Sequence, residues 1–141
     1  MIRDSGDRQV FETGAVRDIS AGKGRCDLMP LGVAAETMNG DEVLGCLAQY
    51  QENGDEVHLF NALITFMGDN YDTVEDAFLD LSVHFEEGAE KYGMGNWNGL
   101  PDWTFLSSAV RHYLKFKKGM ADENHERAFM WNIVCLIAVL G

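Results

Sequence analysis

The sequence predicts an all-α protein, a compact helical bundle preceded by an irregular N-terminal arm. Two observations lead to this fold class. From about residue 33, segments with helical apolar spacing are separated by glycine and asparagine breaks, and no strand-like alternation of useful length occurs. The chain of 141 residues, 46% of them apolar, fits one domain with a single core. We therefore expect one domain over residues 1–141, with an arm over 1–30 and a bundle over 31–141.

The arm and the first three helices follow from local composition. Residues 1–30 are rich in glycine, aspartate and arginine, have no sustained period and end at Pro30, so they predict a loop laid across a surface. Glycine-containing breaks separate the segments that come next: Asn39-Gly40, Asn53-Gly54 and Gly68-Asp69-Asn70. These breaks predict helices near 33–38, 41–51 and 57–67.

The second half of the sequence predicts three longer helices, over 73–93, 102–118 and 122–140. Thr73 is the candidate N-cap of the first, and Asp76 three residues later approximates a capping box. Asp122, Glu123 and Glu126 would stand at the positive end of the last helix, where acidic charges interact favourably with the helix dipole.

Charge and composition argue against several classes of partner. Lysines and arginines number 11 against 23 aspartates and glutamates, and the net charge of -12 repels a nucleic-acid backbone. A small anionic substrate remains compatible, because bound divalent cations invert the local field of a carboxylate-rich pocket. The longest apolar run, Ile133 to Leu140, is far short of the roughly 20 residues of a membrane span. Because Met1 to Asp7 lacks the apolar region of a secretory signal, we expect a cytoplasmic protein with reduced cysteines.

The helix predicted over 73–93 carries two stripes. One is apolar and should be its main contact with the core: Val74, Phe78, Leu81, Phe85, Ala89 and Tyr92. The other begins with apolar residues and ends with Glu86 and Glu90, with Glu87 about 100° from Glu86 around the helix. Converging carboxylates repel one another unless a cation is bound, and Mg²⁺ prefers such oxygen ligands. The same row of acids is equally typical of a solvated helix face.

Asn132 is the unusual residue of the last predicted helix. It lies within the apolar run Phe-Met-Trp-Asn-Ile-Val-Cys, on the same stripe as Asp122 and His125. A buried amide without a partner costs roughly 1 to 3 kcal/mol. Asn132 therefore indicates either a hydrogen-bonded core amide or a ligand to a substrate or metal.

Other side chains are candidates for substrate contacts. Asn96 and Trp97 lie in a glycine-rich loop, where the indole could stack on a base or plug the core. His112 stands between aromatic neighbours, a setting that is more typical of a structural histidine than of a catalyst. The candidate phosphate contacts, which are also compatible with ordinary surface charge, are Lys23, Arg25 and Lys91.

Five segments occur in an order and spacing that is more specific than any one of them: Lys23 to Pro30, Phe85 to Gly93, Asn96-Trp97, Ala109 to His112, and Asp122 to Asn132. Together they resemble a dATP/dGTP diphosphohydrolase family of phages and phage-bearing bacteria, whose members look like relatives of the MazG-like all-α pyrophosphohydrolases. The resemblance covers about residues 17–139. It implies a MazG-like helical bundle and hydrolysis of dATP or dGTP to the monophosphate and pyrophosphate, with Mg²⁺ or Mn²⁺ as cofactor.

The resemblance also implies roles for particular residues. Glu86, Glu87 and Glu90 match the first half of a MazG-type Glu-Glu-x-x-Glu metal motif and would be the catalytic residues. The second half, Glu-x-x-Asp, corresponds here to Phe129-Met-Trp-Asn132, which has no carboxylate. The candidates to complete the metal ligands are Asn132, Asp122, Glu123 and His125. The implied substrate contacts are Lys23, Arg25, Lys91 and Arg111 for phosphate, Asn96 and Trp97 for the base, and His112 for a phosphate oxygen or a metal ligand.

Two other functions remain open from the sequence. His112, Asp122 and His125 suit a His/Asp-type metal phosphohydrolase, and the missing Glu-x-x-Asp also fits a non-catalytic nucleotide sensor or phage interaction protein. We further expect a homo-oligomer, because the apolar last helix could bury side chains against a second copy, namely Trp131, Ile137 and Val139. If a phage encodes the chain, its location would be the bacterial host cytoplasm.

Overall fold

The computed structural model describes residues 22–141 and, as backbone, two short strands at 8–10 and 16–18. The described residues form six α-helices, in agreement with the predicted all-α class: α1 Leu31–Thr37, α2 Glu42–Asn53, α3 Val57–Asn70, α4 Val74–Tyr92, α5 Asp102–Lys117 and α6 His125–Leu140. Two 3₁₀ turns, Cys26–Leu28 and Asn96–Gly99, stand before α1 and between α4 and α5.

The predicted arm contains a feature that its sequence did not indicate. Strand β1, Arg8–Val10, pairs antiparallel with strand β2, Val16–Asp18, so that Val10 stands opposite Val16. Strands of three residues are too short for a period of two to be visible in the sequence. Residues 1–7, 11–15 and 19–21 of the arm lie outside the described residues.

Side-chain caps set the ends of the long helices. The Thr73 hydroxyl accepts a hydrogen bond from the backbone N–H of Asp76 at 3.0 Å, which confirms the predicted start of α4. The last helix begins at His125 and not at Asp122, because the Asn124 side chain accepts from the backbone N–H of Arg127 at 3.0 Å and caps the helix there. Asp122 therefore lies in the connection before α6, and the prediction that it belongs to the first turn was wrong.

Three phenylalanines mark the centre of the core. Phe66 of α3, Phe105 of α5 and Phe129 of α6 are fully buried, and the ring centroids of Phe66 and Phe129 are 4.5 Å apart. Helix α5 is deeply enclosed along its first half, since every residue from 104 to 110 is buried. It packs against α6 as an antiparallel hairpin, which places the end of α5 beside the start of α6.

Helix α4 turns to the core a face that only partly overlaps the predicted apolar stripe, with Leu81 common to both. The buried residues are Ala77, Leu81 and His84, whereas Val74 and Phe78 are 46% and 48% exposed. The true face is rotated by about one residue from the predicted one. The hydrophobic pattern misplaced the centre of the buried face because alanine is small and histidine is polar, so neither residue stands out in such a pattern.

Helices α4 and α6 run in the same direction. Asp80 pairs with Arg127, and four residues later in each helix the ring of His84 lies 5.9 Å from that of Trp131, centroid to centroid. Trp131, Ile137 and Val139, which we expected in a contact between copies, are partly buried against the core of this chain. Self-association stays a prediction. None of the helices in the described part of the chain has both the length and the apolar character needed to cross a bilayer.

Candidate functional site

The acidic end of α4 presents three glutamates to different environments. Glu86 and Glu90 are exposed, whereas Glu87 is half-buried. Glu87 lies on the side of α4 that faces α6. Its negative charge acts on His84, and it adds to the stronger effect of Asp80 in raising the pKa of Arg127. The carboxylates thus share the last two turns of one helix, with one of them directed towards the bundle.

His84 sits beneath this acidic end as a neutral side chain. Burial lowers the pKa of His84 to about 4, despite the nearby charge of Glu87. Its ring packs against the indole of Trp131, and so does the ring of Phe85 at 6.0 Å between centroids. These rings pack beneath the last turns of α4, and none of them carries a charge that could contact a substrate.

A second cluster lies at the turn between α5 and α6. The Nδ1 atoms of His112 and His125 are 2.9 Å apart, and Nε2 of His125 is 2.7 Å from Oδ1 of Asp122. A carboxylate oxygen of Glu123 stands 3.9 Å from Nδ1 of His112. In the part of the chain that the structure describes, the metal-competent group of three such side chains is His112, Glu123 and His125.

The structure does not bring all of the predicted metal ligands together in one site. His84 is level with Trp131, so Glu87, three residues further on, is level with about residue 134 of the parallel helix α6. His125 lies nine residues before that level, which corresponds to roughly 14 Å at about 1.5 Å per residue. The α4 carboxylates and the histidine cluster are therefore two separate groups, one level with the middle of α6 and the other at its start.

Asn132 lies between these groups and is buried. Its amide nitrogen donates a hydrogen bond to the carbonyl of Ala128, four residues earlier, at 2.7 Å. This bond accounts for a polar side chain in an otherwise apolar stretch, in the way that a satisfied core amide would. The metal role that the resemblance gives to Asn132 stays a prediction.

The candidate phosphate contacts Arg25 and Arg111 come together around one short segment. Arg111 donates to the Gly24 carbonyl at 3.1 Å and to the Ser108 hydroxyl at 2.9 Å. Arg25 donates to both carboxylate oxygens of Asp27 at 2.8 Å, and its guanidinium lies 3.8 Å from the ring centroid of Trp103. Lys23 is exposed beside them.

Sequence analysis had not selected Trp103 as part of the site. Its spacing in the sequence could have indicated this role. Trp103 lies four residues before Ser107 and eight before Arg111, so all three side chains share one face of α5. The segment from Gly24 to Asp27 runs along that face. Both arginines are thus already engaged by the protein, and a phosphate would compete with the Asp27 carboxylate or the Gly24 carbonyl for them.

The remaining candidates stand near the acidic end of α4. The ammonium of Lys91 lies 5.2 Å from the ring centroid of Tyr92. Asn96 and Trp97 belong to the 3₁₀ turn that follows, and the Trp97 ring meets that of Phe85 edge-on at 6.4 Å between centroids. Trp97 is half-buried in this contact, so one part of the indole packs on the core and the other part is accessible.

These features define a helical protein with two groups of metal-ligating side-chain types, one of carboxylates and one rich in imidazole. A model of the family described as dATP/dGTP diphosphohydrolase, N-terminal, matches residues 48–140, and the chain belongs to this family. The resemblance seen in the sequence is thereby confirmed, and the family name indicates a hydrolase. Comparison with curated proteins and with solved structures found no match. Lys23 and Arg25 precede the matched residues, whereas both groups of side chains lie within them.

Proposed function

We propose that this chain hydrolyses purine deoxynucleoside triphosphates, dATP and dGTP, to the monophosphate and pyrophosphate, with Mg²⁺ or Mn²⁺ as cofactor. The observation that carries the proposal is the family match over residues 48–140, because that range includes all three glutamates of α4. The aromatic support beneath Glu87 is consistent with a site that must hold its carboxylates in place.

The donor set of α4 suits a hard divalent cation. Glu86, Glu87 and Glu90 supply carboxylate oxygens within two turns, and the exposed side chains of Glu86 and Glu90 are placed to turn towards a common point. A metal bound there would lower the pKa of a coordinated water and neutralise charge on the phosphates. Glu87, being half-buried, would hold its orientation while the other two adjust.

Basic side chains would complete the binding of the substrate. Lys91 follows Glu90 directly and is the cation closest in sequence to the carboxylates. Asn96 and the accessible part of Trp97 are our candidates for the base, because an amide reads a base edge and an indole stacks on its face. Further phosphate contacts would come from Arg25, Arg111 and Lys23 if the segment from Gly24 to Asp27 rearranges. Such a rearrangement is needed because the guanidinium of Arg25 now donates both of its hydrogen bonds to the Asp27 carboxylate.

The test is a screen of the common ribo- and deoxyribonucleoside triphosphates with Mg²⁺ or Mn²⁺, with products separated by chromatography. We expect pyrophosphate from dATP and dGTP, and a loss of at least about 100-fold in kcat for Glu87→Gln and for Glu90→Gln. Glu75→Gln is the matched control, because Glu75 is an exposed acid in the first turn of the same helix. Equal turnover in all three variants would overturn the assignment of the carboxylates.

A His/Asp-type metal phosphohydrolase is the second candidate, because His112, His125 and Asp122 form one connected cluster. It would release inorganic phosphate or triphosphate in place of pyrophosphate, and its activity would survive Glu87→Gln. Thermal stabilisation by dATP or dGTP without any turnover would instead indicate a nucleotide-binding protein that has no catalytic activity.

A further inference from the structure

We infer that the turn between α5 and α6 holds a second metal site, built from Nδ1 of His112, Nδ1 of His125 and the carboxylate of Glu123, that takes Zn²⁺ or a similar late first-row ion. The three ligand atoms lie within 4.8 Å of one another. The inference is independent of the proposed hydrolysis at α4, because it rests on other residues and on a different donor chemistry.

The two histidines already have the separation that a shared ion needs. Their Nδ1 atoms are 2.9 Å apart. With metal–nitrogen bonds of about 2.0 to 2.1 Å, this separation gives an angle at the metal of about 90°, and opening it to about 3.4 Å gives a tetrahedral angle. A change of about half an ångström in the distance between the two Nδ1 atoms therefore covers both a 90° and a tetrahedral angle at the metal.

Asp122 holds the ring of His125 in an orientation that suits a metal ligand. Its carboxylate lies 2.7 Å from Nε2 of His125 and accepts the hydrogen on that nitrogen. In the tautomer with its single hydrogen on Nε2, the ring of His125 carries its lone pair on Nδ1, which is the atom that faces His112. A carboxylate behind a histidine is the usual partner of a metal-ligating imidazole, since it fixes both the tautomer and the ring orientation.

The same geometry shows what an ion would replace. In this tautomer Nδ1 of His125 is an acceptor, so the 2.9 Å contact takes its hydrogen from Nδ1 of His112. When a cation lies between the two atoms, His112 keeps its single hydrogen on Nε2 instead. A change of tautomer at His112 is then enough for the two-histidine contact to exchange its hydrogen bond for a metal ion.

The surroundings hold the ligands close to one arrangement. His125 is 2% exposed, in the first turn of a helix whose start is fixed by the Asn124 cap. The side chains of His112 and Glu123 are 15% and 14% exposed, which leaves the site reachable from solvent. Glu123 needs to move its carboxylate by only a small distance to join two nitrogens that are already in place.

The donor atoms also set the expected selectivity. Imidazole nitrogens suit zinc, nickel and copper, whereas Mg²⁺ prefers oxygen ligands. The carboxylates of α4 are offset from this site by roughly 14 Å along the axis of α6, at about 1.5 Å per residue of helix. A large excess of Mg²⁺ should therefore leave Zn²⁺ on the histidine site.

The experiment measures Zn²⁺ binding to the full chain without a histidine tag, by calorimetry in an excess of Mg²⁺. Co²⁺ serves as a spectroscopic probe, because its visible absorption reports nitrogen ligation and coordination number. We expect one Zn²⁺ per chain, and an affinity lower by about tenfold or more in His112→Gln and in Glu123→Gln, with a corresponding change in the Co²⁺ spectrum. Circular dichroism checks that each variant keeps its helices.

Two controls separate this site from the proposed active site. Glu87→Gln and His58→Gln should bind Zn²⁺ as the wild type does, because neither side chain belongs to the cluster. The inference is overturned if the wild type binds no stoichiometric Zn²⁺, if His112→Gln binds it unchanged, or if Glu87→Gln abolishes it. Pyrophosphate release is measured separately, so a failure of the proposed hydrolysis leaves the Zn²⁺ result intact, and the converse also holds.

Discussion

Arg127 of α6 and Asp80 of α4 form an ion pair that fixes the two parallel helices against each other. Nε and Nη2 of Arg127 lie 2.8 Å and 2.7 Å from Oδ1 of Asp80, and the Tyr71 hydroxyl donates to Oδ2 at 2.6 Å. Both carboxylate oxygens are thus satisfied by neighbouring elements. One turn further along α4, the same register places His84 against Trp131.

Asp80→Asn should lower the free energy of unfolding by about 1 kcal/mol at neutral pH, since the paired side chains are 22% and 28% exposed and partly screened. Burial alone would raise the pKa of Asp80, but hydrogen bonds from Arg127 and Tyr71 lower it below its usual value of 3.8. The stabilisation is therefore present above that value and disappears as the pH falls through the lower pKa of the folded protein. Urea unfolding at neutral and acidic pH measures it.

Asp76→Asn is the matched control for this ion pair, because Asp76 is an exposed aspartate on the same helix. It should change stability by less than about 0.5 kcal/mol. If Asp80→Asn proves no more destabilising than Asp76→Asn, the ion pair contributes nothing to the packing of α4 on α6.

His84 should make the protein less stable in mild acid. Its pKa is about 4 in the folded chain because of burial, against an ordinary value of 6.5. The unfolded chain takes up a proton first, so stability is undiminished above pH 6.5 and falls as the pH drops towards 4. Between pH 7 and pH 5 the loss should be about 2 kcal/mol.

The measurement is urea unfolding at pH 7 and pH 5 for the wild type and for His84→Leu. The variant should lose most of the difference between the two pH values, whereas His58→Gln, which keeps His84, should retain it. A wild-type slope that persists in His84→Leu would mean that other groups cause the acid sensitivity.

The contrast between α4 and α6 shows which features of the fold the sequence could predict. The start of α4 was predicted correctly because Thr73, a good N-cap, is followed directly by a long helical pattern. The start of α6 was misplaced because Asp122 and Asn124 are both good caps, and the choice of Asn124 depends on contacts that Asp122 makes elsewhere, with His125. Local signals locate a helix, but competing caps are decided by tertiary contacts.

The candidate site was predictable to a similar degree. His112, Asp122 and His125 were singled out together from the sequence, yet the 2.9 Å contact depends on how the α5–α6 turn folds back, which no spacing encodes. The orientation of Glu87 towards Arg127 follows from the face that α4 buries. That face was predicted about one residue out of phase, because Ala77 and His84 do not stand out as apolar residues.

Arg111→Met should loosen the segment that leads into α1. The substitution keeps the length of the side chain but removes the bonds to the Gly24 carbonyl and the Ser108 hydroxyl. Each such bond to a charged donor is worth about 1 to 2 kcal/mol, so amide exchange in this segment should be roughly 5- to 30-fold faster. The Leu28 amide, which donates to the Arg25 carbonyl, is a suitable probe.

Hydrogen exchange followed by NMR or mass spectrometry gives the rates for this comparison. Lys115→Met is the control, since it removes a positive charge from the next turn of α5 and leaves both bonds intact. Equal exchange in the two variants would show that Arg111 does not hold the segment. If Arg111 also contacts phosphate, its variant should raise KM for dATP, whereas Lys115→Met should not.

Asn132→Asp separates a structural role for this residue from a metal-binding one. A carboxylate cannot donate to the Ala128 carbonyl, so the variant would place two acceptor oxygens at the present 2.7 Å contact in a buried position. We expect a loss of about 3 kcal/mol or more in the free energy of unfolding, which millimolar Mg²⁺ does not restore. Thermal and urea unfolding with and without Mg²⁺ measure both effects, and Asn61→Asp, an exposed substitution on α3, is the control. If Mg²⁺ stabilises Asn132→Asp more strongly than it stabilises the wild type, this position faces a cation. That result would agree with the Glu-x-x-Asp motif of the MazG-type enzymes that the sequence resembles.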